Sequence, residues 1–514
     1  MLAVKDGKRI RGASPIELLS SDDKRLLAEA KRFYEWYEGC KEFRDQCREG
    51  VISEKYCAKL NELGVSGATI SSMLLLWSDK HIFELDLTGH SEYNQPLSED
   101  PAILFILSKN RALELFLKNL SYNIVSKLKH FHFSLNKLDG TSNFFKWRQR
   151  RIRATRSELG SYAYALDHPS FSIELGVGCT VGCTFCAFDA EQLKSNFNYN
   201  NYTNKELFRA VAKAFVKVLG PASGSGMLYY ATEPNDNPNY IDFLQEWYDI
   251  TGFKLCTSTA RYDLDWIDNL IQFYKTPFPI SWPRVSVLSK HIMERIHRHF
   301  TPVQLLYPWL LPQQIEVEDE RAKVPGGREQ FGLKALAKVK DCRDYDSLED
   351  FDYSQIPQGS IACVSGFKIN MVLKTITATS PCFTSALWTK GYREFGTVQF
   401  TTPDSFLPAL EELISSCMPP DLKDNHLMVW RDDLQYREQI SGFDLVSPTQ
   451  YHKFRDHELY SYFGKLVSSQ SQPSPLTFSQ VKEQILQSTD KWDVFMLDVF
   501  IKKFFDSGFI SESL

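Results

Sequence analysis

The chain has 514 residues, 43% of them hydrophobic and 24% charged, with a formal net charge of −5. That length allows two to four domains with a sizeable core, and the acidic balance argues against a general nucleic-acid binder. The start, MLAVKDGKRIRGASP, has no signal-peptide apolar run, no stretch is apolar enough to span a membrane, and eleven cysteines outside a small secreted scaffold predict a reducing, cytoplasmic setting.

Residues 22 to 130 read mostly as helix. Leu26, Ala30, Phe33 and Tyr37 recur at helical spacing behind a cap signal at Ser20 and Ser21. Cys40, Cys47 and Cys57 are spaced too widely for a ligand set and suit buried thiols. WRQRRIRATR at 147–156 carries Arg148, Arg150, Arg151, Arg153 and Arg156. A charge run of this kind reads as a solvated helix face, with a peptide-binding surface as the sharper alternative.

Phe171, Ile173 and Leu175 alternate with Ser172 and Glu174, a strand pattern. Gly176, Gly178 and Gly182 then open a loop that holds Cys179, Cys183 and Cys186, spaced Cys-x3-Cys-x2-Cys. Three thiolates this close can wrap one face of an iron–sulfur cube and leave one iron open. A zinc site would usually want a fourth ligand, and none lies nearby in sequence.

From about 170 to 400, strand-like runs alternate with helical ones, which predicts parallel β/α units. Met227 to Tyr230 reads as a strand ending in ATEPNDNPNY, where Glu233 or Asp236 could meet an ammonium at the sheet rim. The plainer alternative is a turn with a cap at Asp236 or Asn237. The strand Lys254 to Ala260 carries Thr257, Ser258 and Thr259, whose hydroxyls could serve a ligand or the loop backbone. Arg284 to Ser289, with Ser286, reads as the next strand. His297 and His299 read as exposed helix residues.

Residues 313–358 are charged and turn-rich, which predicts a loop or lid with one helix near 330–340. Gly359 to Ser380 reads as two strands broken at Gly366, with Cys382 just past the strand end at Pro381. Free cysteines such as Cys382 and Cys363 are usually core residues. From 425 the pattern is three short strands (429–437, 442–446, 451–455) and three helices (457–467, 478–487, 491–506). Thr477 and Gln480 form a capping-box signal and Gly508 a stop. Strands followed by helices at this size read as a compact winged helix.

The stretch Cys179-Thr-Val-Gly-Cys183-Thr-Phe-Cys186 resembles the signature of the radical S-adenosylmethionine (SAM) superfamily. The resemblance implies one [4Fe-4S] cluster on Cys179, Cys183 and Cys186, with SAM on the open iron and Phe185 near its adenine. Glu233 matches the acidic residue of that superfamily's Gly-Gly-Glu-Pro stretch, although Ala231-Thr232 replaces the two glycines. Thr257, Ser258, Thr259 and Ser286 are the further SAM contacts it implies.

Between about 145 and 450 the chain is similar to radical SAM peptide epimerases. The matching stretches are Ser157-Glu-Leu-Gly160, ELGVGCTVGCTFCAF, YYATEPNDNPNY, SVLS and IACVSGFKINMVLKT…SPC. The implied fold is α/β: a helical N-terminal domain (1–145), a partial (β/α) radical SAM barrel (146–424) and a winged-helix-like leader-peptide recognition module (425–514). The implied activity turns L-residues of a ribosomally made precursor peptide, leader plus core, into D-residues. Cα hydrogen is removed, and the thiol of Cys382 returns a hydrogen atom to the other face; Cys363 is the competing donor. A reductase or a flavodoxin or ferredoxin would supply electrons. Two other readings stay open. A crosslinking or thioether-forming maturase commonly carries further cysteine clusters, whereas Cys342, Cys363, Cys382 and Cys417 are isolated here. A non-catalytic peptide-binding scaffold would keep only a structural cluster, which three ligands instead of four argue against.

Overall fold

The computed structural model describes residues 2–5, 8–11, 16, 18–85, 96–127, 143–160, 163, 166–183, 186–275, 283–313, 362–455, 458–468, 474–488 and 491–512. Phe185, Cys342 and the expected lid and helix beyond Gln313 lie outside them. The architecture is mixed α/β, with a helical N-terminal region and several small sheets; among the described residues no sheet closes into a barrel. Also among them, no helix is long and apolar enough to cross a membrane. The chain forms two compact units, each assembled from separate stretches.

The first unit comprises Met1–Ser134, Asn196–Lys205 and Met227–Glu320. Its helix Ser21–Gly39 starts where the cap signal predicts: Ser20 Oγ accepts the Asp23 N–H at 3.1 Å. The apolar stripe of that helix buries Phe33 and Trp36 completely against Phe43, Met73 and Leu113. The predicted β/α alternation is present in this unit. Strands Thr257–Thr259, Pro283–Val287 and Trp309–Pro312 pair in parallel, with helices Leu264–Lys275 and Lys290–His299 between them in sequence. Met227 adds an isolated parallel bridge to Cys256. One expectation fails here. His297 is buried rather than exposed, because its Nε2 pairs with Glu35 Oε2 at 3.0 Å inside the helical core; His299 is exposed.

The second unit comprises Leu135–Ser195, Glu206–Gly226 and Arg321–Leu514. Strand Phe171–Glu174 pairs in parallel with Gly366–Asn370, which continues antiparallel through Thr375–Pro381 to Tyr392–Gln399. The period-2 pattern sorts the two faces. Phe171, Ile173, Phe367 and Ile369 go to an apolar face, where Phe171 stacks on Phe215 at 4.5 Å and Phe367 on Phe144 at 4.9 Å. Ser172, Glu174, Lys368 and Asn370 fall on the other. The sequence break expected at Gly366 lies elsewhere: Gly366 begins a strand. A Cβ there would sit 1.9 Å from the Ser170 carbonyl oxygen, so the glycine serves close backbone approach. The turn follows Asn370, whose Oδ1 accepts the N–H groups of Val372 and Leu373 at 3.0 and 2.9 Å.

The arginine run also departs from its expected solvated face. On helix Asn143–Leu159, Arg148, Arg150 and Arg151 are buried, while Arg153 and Arg156 are exposed. Burial is tolerated because the guanidiniums find acceptors and ring faces. Arg148 donates to Ser365 O at 3.1 Å, and Arg150 pairs with Glu512 and stacks 4.0 Å over the Phe505 ring. The last ninety residues follow the expected order: strands Gln435–Gln439, Gly442–Val446 and Tyr451–Phe454, then helices Glu458–Ser468, Phe478–Ser488 and Val494–Asp506. Phe443, Phe463, Val481, Ile501 and Phe505 are wholly buried in their core. The Thr477–Gln480 capping box forms, and Gly508 turns the chain at φ 78°.

Candidate functional site

Strand Phe171–Glu174 delivers the chain into the cysteine loop. The loop's first arm is held by backbone bonds: Lys194 N to Val177 O and Cys179 N to Glu191 O, both 2.8 Å. Gly178 turns it at φ 90°, and Gly182 turns it again at φ 64°. Cys179, Cys183 and Cys186 are all half-buried in this loop. The Val181 N–H points to Cys179 Sγ at 3.4 Å, the kind of donor that tunes a ligating sulfur. Three thiols at this spacing fit the soft iron of an iron–sulfur cluster in their chemistry. Among the described residues, no group of three His, Cys, Asp or Glu side chains is gathered as a preformed metal site. Phe185, between the second and third cysteines, is outside the described residues.

The other cofactor candidates are in the first unit. Glu233 is buried, and its carboxylate caps the following short turn. Oε1 accepts the Asn235 N–H at 3.1 Å and the Thr259 hydroxyl, and Oε2 accepts the Ala260 N–H at 2.9 Å. Among the described residues these three donors occupy a carboxylate that offers about four acceptor positions, which leaves room for an ammonium. Burial raises this carboxyl above its usual range despite the three donors, and a cation would favour the charged form. The three strand hydroxyls divide. Thr257 is buried, bonded to the Tyr240 and Tyr274 hydroxyls at 2.9 and 3.0 Å. Thr259 serves Glu233. Ser258 faces the opposite way and meets Ser286 at 3.5 Å. Asp236 accepts from Arg261 at 3.3 Å.

Cys382, in the second unit, is completely buried and the backbone is fixed at three consecutive residues. Pro381 O accepts from Thr155 Oγ1 at 3.2 Å, Cys382 N donates to Gly391 O at 3.0 Å, and Phe383 N donates to Glu158 Oε1 at 2.8 Å. Burial, with the Glu158 carboxylate next in weight, pushes the thiol well above its ordinary value, so it carries its hydrogen at neutral pH. Cys363 is half-buried and packs with Phe383 on Leu159, Ala163 and Leu166. Tyr392 joins the two cysteine-bearing segments of this unit. It pairs across the sheet with Pro381, and its ring centroid lies 6.4 Å from that of Phe188, two residues past Cys186.

Two groups around these residues are not visible in the sequence pattern. On the polar sheet face, Lys368 Nζ meets Glu394 at 2.8 Å and the Tyr392 hydroxyl at 3.1 Å. Beside Cys382, Glu158 and Arg393 pair at 2.5 Å, and Arg393 continues to Asp432 and Asp433. Their partners are 235 and about forty positions away in the chain, beyond the reach of local periodicity. In the sequence Glu158 stands only as part of the stretch Ser157-Glu-Leu-Gly160.

No family profile matches this chain, and no solved structure matches it. The chain is 29% identical over 507 residues to a Sinorhizobium fredii (strain NBRC 101917 / NGR234) protein described as uncharacterized protein y4wI. That similarity covers 96% of this chain and 89% of the relative.

Proposed function

We propose that the protein is a radical SAM peptide epimerase, which inverts residues of a ribosomally made precursor peptide from L to D. Cys179, Cys183 and Cys186 are the proposed ligands of one [4Fe-4S] cluster. Glu233, Ser258 and Ser286 are proposed to meet SAM, with Thr259 holding Glu233 and Phe185 next to the adenine. A cluster and SAM, where held, would supply one-electron chemistry for taking hydrogen from a substrate Cα.

The remaining work belongs to the chain's own residues. Cys382 keeps a protonated thiol, and hydrogen-atom donation requires S–H rather than thiolate. Its backbone is held at three successive groups, so the thiol can quench from one fixed side. The observation that carries this reading is Tyr392, which contacts both the strand end before Cys382 and the end of the cysteine loop. The proposed fold of the central part is a partial (β/α) barrel, and residues 425–514 are the proposed leader-recognition module. An extended leader would add to one of the two sheet edges, Gln435–Gln439 or Tyr451–Phe454. The proposed electron source is a flavodoxin, ferredoxin or reductase.

The test is anaerobic incubation of the reconstituted protein with SAM, dithionite and synthetic candidate precursor peptides, in D₂O. The epimerase reading expects 5′-deoxyadenosine and one deuterium at each inverted Cα. A product that instead loses two hydrogens would indicate a crosslinking maturase. Absence of 5′-deoxyadenosine from fully reconstituted protein would favour the scaffold.

A further inference from the structure

Cys382 opens an excursion of the chain that returns to the sheet at Tyr392, and a charged network fastens both of its ends. At the start, the Phe383 N–H rests on Glu158 Oε1 at 2.8 Å. At the return, Arg393 binds the same carboxylate through Nη1 at 2.5 Å and Nη2 at 3.2 Å. Within the excursion, the Trp388 indole N–H donates to Asp432 Oδ2. Arg393 Nε donates to the other oxygen of Asp432 at 2.9 Å, and Nη2 reaches Asp433 at 3.1 Å. Asp433 is held in turn by Arg431 at 2.9 Å, and Arg431 donates to Ser157 Oγ at 2.9 Å and to Gly508 O at 2.6 Å. The network is two guanidiniums and three carboxylates. Glu158, Arg393, Arg431 and Asp433 are nearly covered, whereas the Asp432 side chain is 36% exposed.

Such an arrangement is costly as a mere stabiliser, because buried ions give up hydration that pairing only partly restores. It fixes geometry instead: bidentate guanidinium–carboxylate pairs define both distance and direction. Asp432 touches Trp388 inside the excursion and Arg393 at its return, and it sits in the segment leading into strand Gln435–Gln439.

We propose that Arg393 and Asp432 are positioning residues for Cys382, so that the C-terminal part of the chain forms one wall of the thiol site in addition to its proposed role in leader recognition. The importance of the thiol rests on the function proposed above; the clamp itself does not. Asp432→Asn leaves one carbonyl acceptor where two donors now bind, so Trp388 and Arg393 Nε cannot both keep their bond and the excursion loosens around Cys382.

The experiment uses the full chain and iodoacetamide as the probe, with each cysteine followed by peptide mass mapping. Wild type should protect Cys382. Asp432→Asn should raise its alkylation rate about tenfold or more, the scale of losing a charge-assisted hydrogen bond. Asp432→Glu should retain protection. Cys417, half-buried and outside the network, should react equally in all three proteins. Cys382 reactivity within about twofold of wild type in both Asp432→Asn and Arg393→Lys would overturn the clamp. So would an equal rise at Cys417, which reports general loosening. A parallel measurement of 5′-deoxyadenosine from SAM and dithionite separates the two ideas: its absence in wild type tells against the enzyme reading, whatever the alkylation shows.

Discussion

The side-chain amide of Asn370 donates to Gly176 O at 3.0 Å and to Glu174 Oε2 at 3.1 Å. It ties strand Gly366–Asn370 to the residue at which the cysteine loop leaves its own strand. Its Oδ1 caps the turn that follows, so one side chain sets both the loop's origin and the hairpin's bend. Asn370→Ala removes all of these bonds at a nearly covered site. The expected loss is about 2 kcal/mol of stability. Iron held in the proposed cluster should also leave the reconstituted protein faster under a chelator, which its absorbance can follow. Wild-type retention of iron together with a wild-type urea midpoint would show that the loop is held elsewhere.

Gly178 and Gly182 both have positive φ, and their surroundings separate them. A Cβ at Gly178 would lie 2.4 Å from the Gln192 carbonyl oxygen, whereas among the described residues one at Gly182 meets nothing within 4 Å. Gly182→Ala should cost only the left-handed backbone penalty, about 1 kcal/mol, and leave iron binding near wild type. Gly178→Ala must displace backbone as well and should abolish assembly of the proposed cluster in a protein that otherwise folds. Iron and sulfide analysis of the two variants side by side makes the comparison; equal iron content would refute it.

Replacing Cys179, Cys183 and Cys186 together with alanine should remove iron, sulfide and the charge-transfer absorption after anaerobic reconstitution. Four irons retained in that variant would place the cluster elsewhere.

Cys382→Ala should sever two halves of the proposed reaction. Hydrogen removal needs no thiol, so 5′-deoxyadenosine should still form and carry deuterium from a Cα-labelled peptide. D-residue yield should fall steeply. Should Cys382→Ala epimerise at the normal rate while Cys363→Ala does not, the donor is Cys363.

His297 is buried beside Glu35, and burial lowers its pKa below the ordinary 6.5. The folded state therefore prefers the neutral ring, and the unfolded state binds more protons just below that value. Stability from this group is present above about pH 6.5 and is lost as pH falls toward the depressed folded value, at up to about 1.4 kcal/mol per pH unit. His426 and His452 are shifted in the same direction by burial. Urea midpoints between pH 8 and pH 5.5 should decline on the acid side, and His297→Gln should remove its share of the slope. An unchanged slope would mean that His297 does not control it.

Local pattern was enough wherever the physics is local. The helix after Ser20, the capping box at Thr477 and the three helices ending at Gly508 depend on residues three or four apart, and the sequence alone specifies them. The cysteine spacing and its strand-then-glycine setting are equally local. Charge is different. Five arginines between 148 and 156 look like a solvent face because sequence cannot say which acceptors will surround them. Three of the five are buried because the fold brings Ser365 O, Glu512 and aromatic rings to them. His297 is the same case in one residue, since Glu35 lies 262 positions away. Gly366 also illustrates this limit, as its close neighbour is the Ser170 carbonyl just before the strand Phe171–Glu174. Cys382 joins both kinds of evidence. Its place after a strand end is legible in the chain, but its covered thiol and three fixed backbone groups come from Thr155, Glu158 and Gly391, which only tertiary packing brings together.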